Sequence, residues 1–304
     1  MIEIANAPVS YGVFELTIGE SGLPGPEEVL EAVAGSGYQG IDLGPFGFLA
    51  GSGEELAERL SRHGLGLSGG YVALRFTDPG GFAEDLRLLE QTLDVFQVVA
   101  PVRPDLLPKP TLADGGSPER AANPGRGKDL PQIRLDPQGW KRLATGVREA
   151  ADRCRARGFE PTFHHHAGTY VEAPLEIEHL LELTDVGICL DSGHLLLGGG
   201  DPVQALDDWG ERINHLQVKD ARISVLEEII AEQAGMRAVW ERGAFCELGA
   251  GDLDTEGFFN GIQDLGYRGW LIVEQDRILT PGNTFDAAIE AQTRNRDFLR
   301  RWGW

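Results

Sequence analysis

The sequence predicts a single-domain α/β protein in which eight parallel strands close into a barrel surrounded by helices, the (β/α)8 fold. Short apolar segments with β-type composition alternate along the chain with amphipathic helical segments. Eight strand segments are found, and each after the first is preceded by a helical segment. Such regular alternation favours a closed parallel barrel over an open or antiparallel sheet. The length of 304 residues also suits one barrel with its loops, for which about 250 residues are typical.

The strands are assigned from hydrophobic periodicity and from the turn residues that bound each segment. Each segment after the first follows an amphipathic pattern, such as PEEVLEAVAGSG or FAEDLRLLEQTL. The predicted strands are 2–10, 38–44, 64–74, 95–101, 159–166, 186–194, 213–220 and 269–276.

Two segments interrupt the alternation. Residues 102–138 are rich in Pro and Gly and lack periodicity, so we predict a long loop over one face of the barrel. Residues 221–247 contain a helical pattern, which predicts a helical insertion between strands seven and eight. Because strands continue after both segments, residues 1–304 are predicted to form one domain.

The charge and cysteine content exclude several classes of protein. The net charge is -21, from 48 acidic and 27 basic residues, which disfavours binding to nucleic acid. No apolar run approaches the roughly 20 residues that span a membrane, and the N-terminus lacks the features of a secretory signal. The three cysteines form no CxxC pair and suggest reduced thiols, so we expect a cytoplasmic protein. Whether it forms a homo-oligomer is left open.

Acidic side chains and histidines are concentrated at the C-terminal ends of the predicted strands, where this class of barrel carries its active site. Several follow apolar stems such as GICL and WLIV, where a charge is costly unless it is paired or binds a metal ion. Carboxylates with an imidazole suit Mn²⁺, Mg²⁺ or Co²⁺. These residues are Glu15, Asp42, His164, His166, Glu172, Asp191, His194, His215, Lys219, Asp220, Glu274 and Asp276.

Three of the seven histidines are consecutive, in the segment FHHHAGTYVE. In a strand, His164 and His166 would face one side and His165 the other. We therefore expect the first and third to line a pocket and His165 to be structural. Structural alternatives also exist for the strand-end residues: Asp191 could cap a helix, and His215 could be a hydrogen-bonded core histidine.

Seven segments, from NAPVSYGVFE through YQGIDLGPFGFL, FHHHAGTYVE, ICLDSGH, INHLQVKD and LGAGDLD to GYRGWLIVEQD, resemble the xylose-isomerase-like sugar isomerase/epimerase superfamily of TIM barrels. Within it the chain is most similar to the inosose dehydratase branch. The resemblance implies a metal site built from Glu, Asp, His and Glu at successive strand ends. The last three positions correspond to Asp191, His215 and Glu274. Many members have a Glu where this chain has His164, and the nearest carboxylate is Glu172, with His164 or His166 as the competing ligand.

The same resemblance implies a divalent cofactor, with Mn²⁺ preferred over Mg²⁺ or Co²⁺, and a small keto-polyol or keto-sugar as substrate. Such an ion polarises a carbonyl and stabilises the enediolate that forms when an α-proton is removed. Glu172, Glu274 and His166 are the candidate acid and base groups, and Lys219 could hold the developing oxyanion. His164, His194, Asp220 and Glu15 are assigned to substrate binding. The Gly-rich segment LLLGGGDP lacks the lysine of a phosphate-binding loop, which favours an unphosphorylated substrate.

Several functions are compatible with this constellation. Dehydration, as in inosose dehydratases, is the leading hypothesis, and a ketose isomerase or 3-epimerase is the alternative because both routes begin with the same proton abstraction. An endonuclease-four-like phosphodiesterase would need a basic surface, which the charge of -21 disfavours. A sugar-binding barrel without catalysis is disfavoured by the number of acids at the strand ends.

Overall fold

The chain folds into a closed parallel barrel in a computed structural model that describes all residues, 1–304. This confirms the predicted fold class. Two short strands outside the barrel, β9 and β10, form an antiparallel pair. The strands are β1 (Ile2–Asn6), β2 (Gly40–Ile41), β3 (Gly66–Leu67), β4 (Gly69–Leu74), β5 (Lys109–Asp114), β6 (Thr162–His164), β7 (Gly187–Asp191), β8 (Ile213–Val218), β9 (Asp220–Ala221), β10 (Phe245–Cys246) and β11 (Gly269–Val273).

The order of the strands around the barrel follows the chain, and β1 pairs with β11. The third barrel strand consists of two pieces, because β3 and β4 are separated only by Ser68. β3 pairs with β2 and β4 pairs with β5, so this interrupted strand closes the sheet. The barrel therefore has eight strand positions made from nine segments.

Twelve helices surround the barrel, with short 3₁₀ turns at Pro8–Tyr11, Ala100–Val102, Pro131–Ile133 and Gly210–Arg212. None of the helices is both long and apolar enough to span a lipid bilayer. The helices are α1 (Pro26–Gly35), α2 (Gly53–His63), α3 (Pro79–Val99), α4 (Pro118–Ala121), α5 (Pro137–Ala156), α6 (Pro174–Leu183), α7 (Ser192–Leu197), α8 (Pro202–Trp209), α9 (Ile223–Glu232), α10 (Gly235–Glu241), α11 (Thr255–Asp264) and α12 (Phe285–Arg300).

The predicted fourth strand, 95–101, is wrong. These residues form the end of α3 and a 3₁₀ turn, and Leu89, Leu93 and Phe96 are buried at helical spacing on one face. The actual fourth strand is β5, which lies inside the segment predicted to be a loop. The loop prediction for 102–138 is therefore wrong for 109–114, although residues after β5 do form a long connection with the short helix α4.

The segment 221–247, predicted to be a helical insertion, contains α9 and α10 between β9 and β10. It has a hydrophobic cluster of its own, which includes Leu226, Ile229 and Val239. A much larger cluster of 53 buried residues fills the space between the barrel and its outer helices. Burial of this apolar surface is the main favourable contribution to folding.

The register between β7 and β8 determines which side chains reach the top of the barrel. The pairing shifts at Ile188 and Cys189, so that Cys189 is opposite His215 and Asp191 is opposite Gln217. Side chains two residues apart share a face and are separated by about 6.6 Å along a parallel strand. Gln217 is therefore level with Asp191, and His215 lies one layer closer to the N-terminal end.

Candidate active site

A pocket of about 270 Å³ opens at the C-terminal ends of the barrel strands. Its apolar wall comes from the segment after β1, including Val13 and Phe14, and from Trp240 of the insertion. Its polar lining consists of Glu15, Asp42, Tyr71, His164, His166, Gln217, Lys219, Glu274 and Asp276.

The ammonium group of Lys219 lies at the centre of this polar lining. Its Nζ is 3.0 Å from Asp191 Oδ2, 2.7 Å from Glu274 Oε2 and 3.0 Å from Asp276 Oδ1. Lys219 is 2% exposed, so the charge is removed from solvent and depends on these partners. Three carboxylates share one cation, which leaves the group with excess negative charge if all three are ionised.

The carboxylates in this group differ in their protonation. Burial raises the pKa of Glu274 to about 8, with repulsion from Asp276 and Asp191 adding to the effect and Lys219 opposing it. Burial also acts to raise the pKa of Asp191, but attraction to Lys219, His194 and His164 outweighs it and holds that pKa below its ordinary value. Asp191 is thus the ionised partner of the ammonium, and Glu274 can retain a proton at neutral pH.

Asp191 has a second contact, because its Oδ1 accepts a hydrogen bond of 2.9 Å from the backbone N–H of His194. It is the N-cap of α7, as the structural alternative for this residue supposed. The same side chain therefore begins a helix and holds the lysine.

His164 lies beside Asp191, with Nε2 at 3.4 Å from Asp191 Oδ2 and 2.6 Å from the side-chain oxygen of Gln217. The edge of Tyr71 faces its ring at a centroid distance of 5.8 Å. His165 faces away, and its Nε2 accepts a hydrogen bond from the N–H of Asp191. The alternation expected for the three histidines is thus present.

His166 lines the pocket, and its ring lies 3.8 Å from that of His194. Its Nδ1 is 2.7 Å from the carbonyl oxygen of Ala167, so Nδ1 carries the proton and Nε2 has a free lone pair. Burial, with repulsion from His164 and Lys219, lowers the pKa of His166 to about 4. This residue is therefore a neutral proton acceptor at pH 7.

His194 does not line the pocket. Its Nδ1 accepts a hydrogen bond from the N–H of Ala167, so Nε2 carries the proton and lies 3.5 Å from Asp276 Oδ2. The ring packs against that of His166, and the role of His194 in substrate binding stays a prediction.

Glu172 also lies outside the pocket, and all of its acceptor positions are filled. Its oxygens accept hydrogen bonds from the N–H groups of Gly125, Gly127 and Gly168 at 2.6 to 3.0 Å, and from Arg120 at 3.1 Å. Gly125 and Gly168 have φ of 71° and 79°, a left-handed conformation that favours glycine. Glu172 is fully buried and fixes these turns, so its prediction as a metal ligand and acid/base group is corrected.

Asp220 is likewise structural. It accepts hydrogen bonds from the N–H groups of Gly249, Gly251, Leu253 and Ala221, at 2.8 to 3.0 Å. These bonds fix the LGAGDLD turn and leave no free acceptor for a substrate. Glu15, in contrast, lines the pocket, at its exposed rim.

His215 lies at the opposite end of the barrel from the pocket. It is the third residue of β8, and its neighbours Lys109 and Trp270 belong to the first two residues of their strands. The register places His215 one layer below Asp191, and Gln217 is level with Asp191 instead. The alternation of side chains along INHLQVKD could have shown that Gln217 faces the pocket. That conclusion requires the residue at which the strand begins, which the sequence does not give.

Four polar residues of the pocket were not assigned a role from the sequence: Asp42, Tyr71, Gln217 and Asp276. Gln217 was missed because an amide gives no signal of chemistry on its own. Asp42 was noted only as a strand-end acid, yet its carboxylate lines the pocket, where one oxygen accepts from the N–H of Gly44 and the other has no partner. Burial raises the pKa of Asp42 to about 6.

Two groups of nitrogen and oxygen atoms lie within 4.8 Å of one another, as ligands of one metal ion do: His164, Asp191 and His194, and His166, His194 and Asp276. Both include His194, whose Nδ1 already accepts a hydrogen bond from the N–H of Ala167. Without His194, the donors that lie together are His164, Asp191 and Gln217, from three neighbouring strands. One nitrogen and two oxygens fit the ligand preferences of Mn²⁺ or Mg²⁺.

The family model described as "Xylose isomerase-like TIM barrel" matches residues 30–301. The chain belongs to this family. It is 30% identical over 280 residues to the inosose dehydratase of Geobacillus kaustophilus, covering 89% of this chain and 88% of the relative. It is 36% identical over 156 residues to that of Lacticaseibacillus casei, about half of each chain.

Solved structures share the fold of this family member. The zinc-bound IOLI protein has a TM-score of 0.70 at 15% identity, and 99% of each chain is covered. D-allulose 3-epimerase from Methylomonas in complex with D-allulose has a TM-score of 0.68 at 14% identity, covering 99% and 96% of the two chains. At these identities the likeness establishes the architecture alone.

Proposed function

We propose that the protein is a divalent-metal-dependent lyase that removes water from a keto-polyol, as its inosose dehydratase relatives are named to do. The observation that carries the proposal is that one pocket holds a neutral imidazole, a carboxyl group that keeps its proton at pH 7, and a buried ammonium. Elimination next to a ketone needs these three: a base, an acid and a cation that stabilises an enolate oxygen.

His166 is the proposed base. Its Nδ1–H is fixed on the carbonyl of Ala167, so the lone pair of Nε2 is available in the pocket. It takes the proton from the carbon next to the ketone, and the electrons move to the carbonyl oxygen. Contact with the tilted ring of His194, at a centroid distance of 3.8 Å, restricts the ring orientation. A fixed tautomer and orientation reduce the reorganisation that the proton transfer requires.

Glu274 is the proposed acid. It donates its proton to the hydroxyl on the next carbon, so that this group leaves as water while the C=C bond forms. Lys219 stabilises the enolate oxygen and also favours the ionised form of Glu274 after the transfer. The proton on His166 then returns to solvent, and Glu274 is protonated again.

A divalent ion, with Mn²⁺ preferred, would be held by His164, Asp191 and Gln217. When bound it would supply Lewis-acid polarisation of the substrate carbonyl. This ligand set replaces Glu172, His215 and Glu274 of the sequence prediction, because a carboxylate bound to the ion would lose the proton that Glu274 is proposed to donate. It is supported by the donor chemistry and by the register that places Gln217 level with Asp191.

The test is to incubate the purified protein and Mn²⁺ with keto-inositols and with ketoses in D₂O. Dehydration gives a product that has lost the mass of one water. We expect the variant Glu274→Gln to lose this activity and the matched control Glu227→Gln, an exposed and unpaired glutamate, to keep it. Products that have not lost water and carry one deuterium at the α-carbon would instead identify an isomerase or epimerase. Absence of turnover and of deuterium exchange with every substrate would refute the proposal.

A further inference from the structure

A second cavity, of about 560 Å³, opens at the N-terminal end of the barrel, opposite the candidate active site. It is lined by residues that begin their strands, namely Lys109 of β5, Asn214 and His215 of β8, and Trp270 of β11. Arg268, just before β11, completes this lining. The proposed chemistry at the other end of the barrel uses none of these side chains.

Several buried polar atoms of this cavity have no partner in the protein. His215 is 1% exposed, and neither ring nitrogen forms a hydrogen bond. Nε1 of Trp270 is also unpaired, and so is the side-chain oxygen of Asn214, whose amide nitrogen is bound to the carbonyl of Pro161. Because buried polar groups are nearly always satisfied, unpaired atoms grouped in one cavity indicate that it receives a polar molecule.

The charges of the cavity indicate the sign of that molecule. Lys109 and Arg268 form no ion pair within 4.0 Å, although the chain carries a net charge of -21. Two acids, Glu160 and Asp105, line the same cavity. Each already pairs with an arginine outside the lining, Glu160 with Arg155 at 3.0 Å and Asp105 with Arg103 at 3.5 Å. Two unpaired cations therefore remain in one cavity of an acidic protein, which favours an anion.

The hydrogen-bonding groups narrow the ligand further. Lys109 and Trp270 are donors, and the free oxygen of Asn214 is an acceptor. Both ring nitrogens of His215 are unpaired, and a neutral imidazole offers one donor and one acceptor. An anion that also has a hydroxyl group satisfies both kinds of group, and hydrogen phosphate is the simplest example.

We propose that the N-terminal mouth of the barrel binds a small hydroxylated oxyanion of the phosphate type, held by Lys109, Arg268, His215, Asn214 and Trp270. The site is separate from the pocket that binds the substrate, so an anion here acts on the barrel and does not compete with substrate directly. The proposal does not depend on the reaction at the other end.

The test is calorimetric titration of the full chain with inorganic phosphate, with a phosphate monoester such as glycerol phosphate in a second arm, and with chloride at equal ionic strength. Saturable binding of phosphate is expected, together with a rise in thermal midpoint, while chloride has no effect. Lys109→Met and Arg268→Gln should each weaken binding about tenfold or more. Lys141→Met, which removes an exposed and unpaired lysine from α5, should leave it unchanged.

Binding of the monoester as tightly as phosphate would identify a phosphorylated metabolite as the ligand, and binding of phosphate alone would identify the free ion. Arg268 is exposed, so its variant should fold even if that of Lys109 does not. The proposal is overturned if phosphate does not bind saturably, or if Arg268→Gln binds it as the unmodified chain does. The proposal is also overturned if Lys141→Met weakens phosphate binding as much as the two cavity variants do. Affinity would then depend on the net charge of the chain and not on this cavity.

Discussion

Two buried charge clusters in this barrel contain similar residues and have different properties. The Arg120 cluster, Arg120 with Glu172 and Glu176, lies behind the barrel mouth, and the Lys219 cluster, Lys219 with Asp191, Glu274 and Asp276, lies in the pocket. Backbone N–H groups solvate the first: three donate to Glu172 and two to Glu176. In the second, only Asp191 accepts a backbone N–H, from His194. The acids of the Arg120 cluster are thus stabilised by backbone N–H groups as well as by arginine. The three acids of the Lys219 cluster depend mainly on one shared ammonium.

The difference explains which cluster can do chemistry. A carboxylate whose lone pairs all accept hydrogen bonds from the backbone has no free acceptor for a substrate. Glu274 accepts only from Lys219 and faces the pocket, so it can exchange its proton. We infer that hydrogen-bond saturation, and not burial, separates structural from functional acids here, since Glu172 and Glu274 are both almost inaccessible.

The largest effect should come from breaking the Arg120 cluster. Arg120→Met leaves Glu172 and Glu176 buried without their cation, and breaking a buried pair in this way costs about 3–5 kcal/mol. Chemical denaturation should show this loss in the free energy of unfolding. A variant as stable as the unmodified protein would mean that the backbone N–H groups alone stabilise the two acids.

Glu274→Gln should have the opposite profile. Loss of an acid group of this kind lowers turnover by about 10²–10⁴. An amide has the size of the protonated carboxyl group that it replaces, so the free energy of unfolding should be nearly unchanged. Steady-state kinetics and denaturation of the same sample measure both. The distinction between the clusters fails if the variant is strongly destabilised and its residual folded fraction is fully active.

Much of this arrangement could be predicted from the sequence, and the failures have physical causes. The alternation of apolar segments predicts the barrel, and the two-residue period predicts the opposite orientation of His164 and His165. The fourth strand was misplaced for two reasons. The apolar run at 95–101 is the end of a helix, and the prolines on either side of Lys109 make the start of β5 resemble a loop.

The proposed metal ligands could be predicted only in part. Asp191 ends its strand beside the pocket, as expected, but its partners depend on register. The shift at Cys189 determines that Gln217 and not His215 is level with Asp191. Glu172 carries the same carboxylate as Glu274, and only the three-dimensional position of three glycine N–H groups distinguishes it. Contacts between distant segments are not visible in local patterns.

Asp42 sharpens the comparison, because this buried acid has one backbone N–H and no ion pair. Its pKa of about 6 in the folded state exceeds the ordinary value of 3.8, so the folded protein binds more protons than the unfolded chain between these values. Stability from this group is therefore present below pH 4 and is lost as pH rises to 6. The variant Asp42→Asn has no carboxyl group to titrate and does not lose this stability. The free energy of unfolding of the variant minus that of the unmodified protein should therefore increase by up to about 3 kcal/mol between pH 4 and pH 7. Denaturation at several pH values measures this difference, and a flat profile would show that Asp42 titrates normally.

The smallest effect is expected at the surface, where Arg153 pairs with Glu149 at 2.9 Å on α5 with both side chains about half exposed. Arg153→Gln should cost less than about 1 kcal/mol, and less still in high salt, because solvent screens the pair. Denaturation at about 0.1 and 1 M salt tests this. A larger or salt-independent loss would mean that exposed pairs here behave like the buried clusters.

The helix cap at Asp191 has a consequence for how this site can change in evolution. Asn in its place would still begin α7 but would carry no charge for Lys219, whereas Glu would keep the charge on a longer side chain that caps poorly. Each single step from Asp thus loses one of two contacts made by the same side chain. A change of activity by successive substitutions would therefore begin at neighbouring residues that make one contact each, such as Gln217. Asp191 would be substituted last.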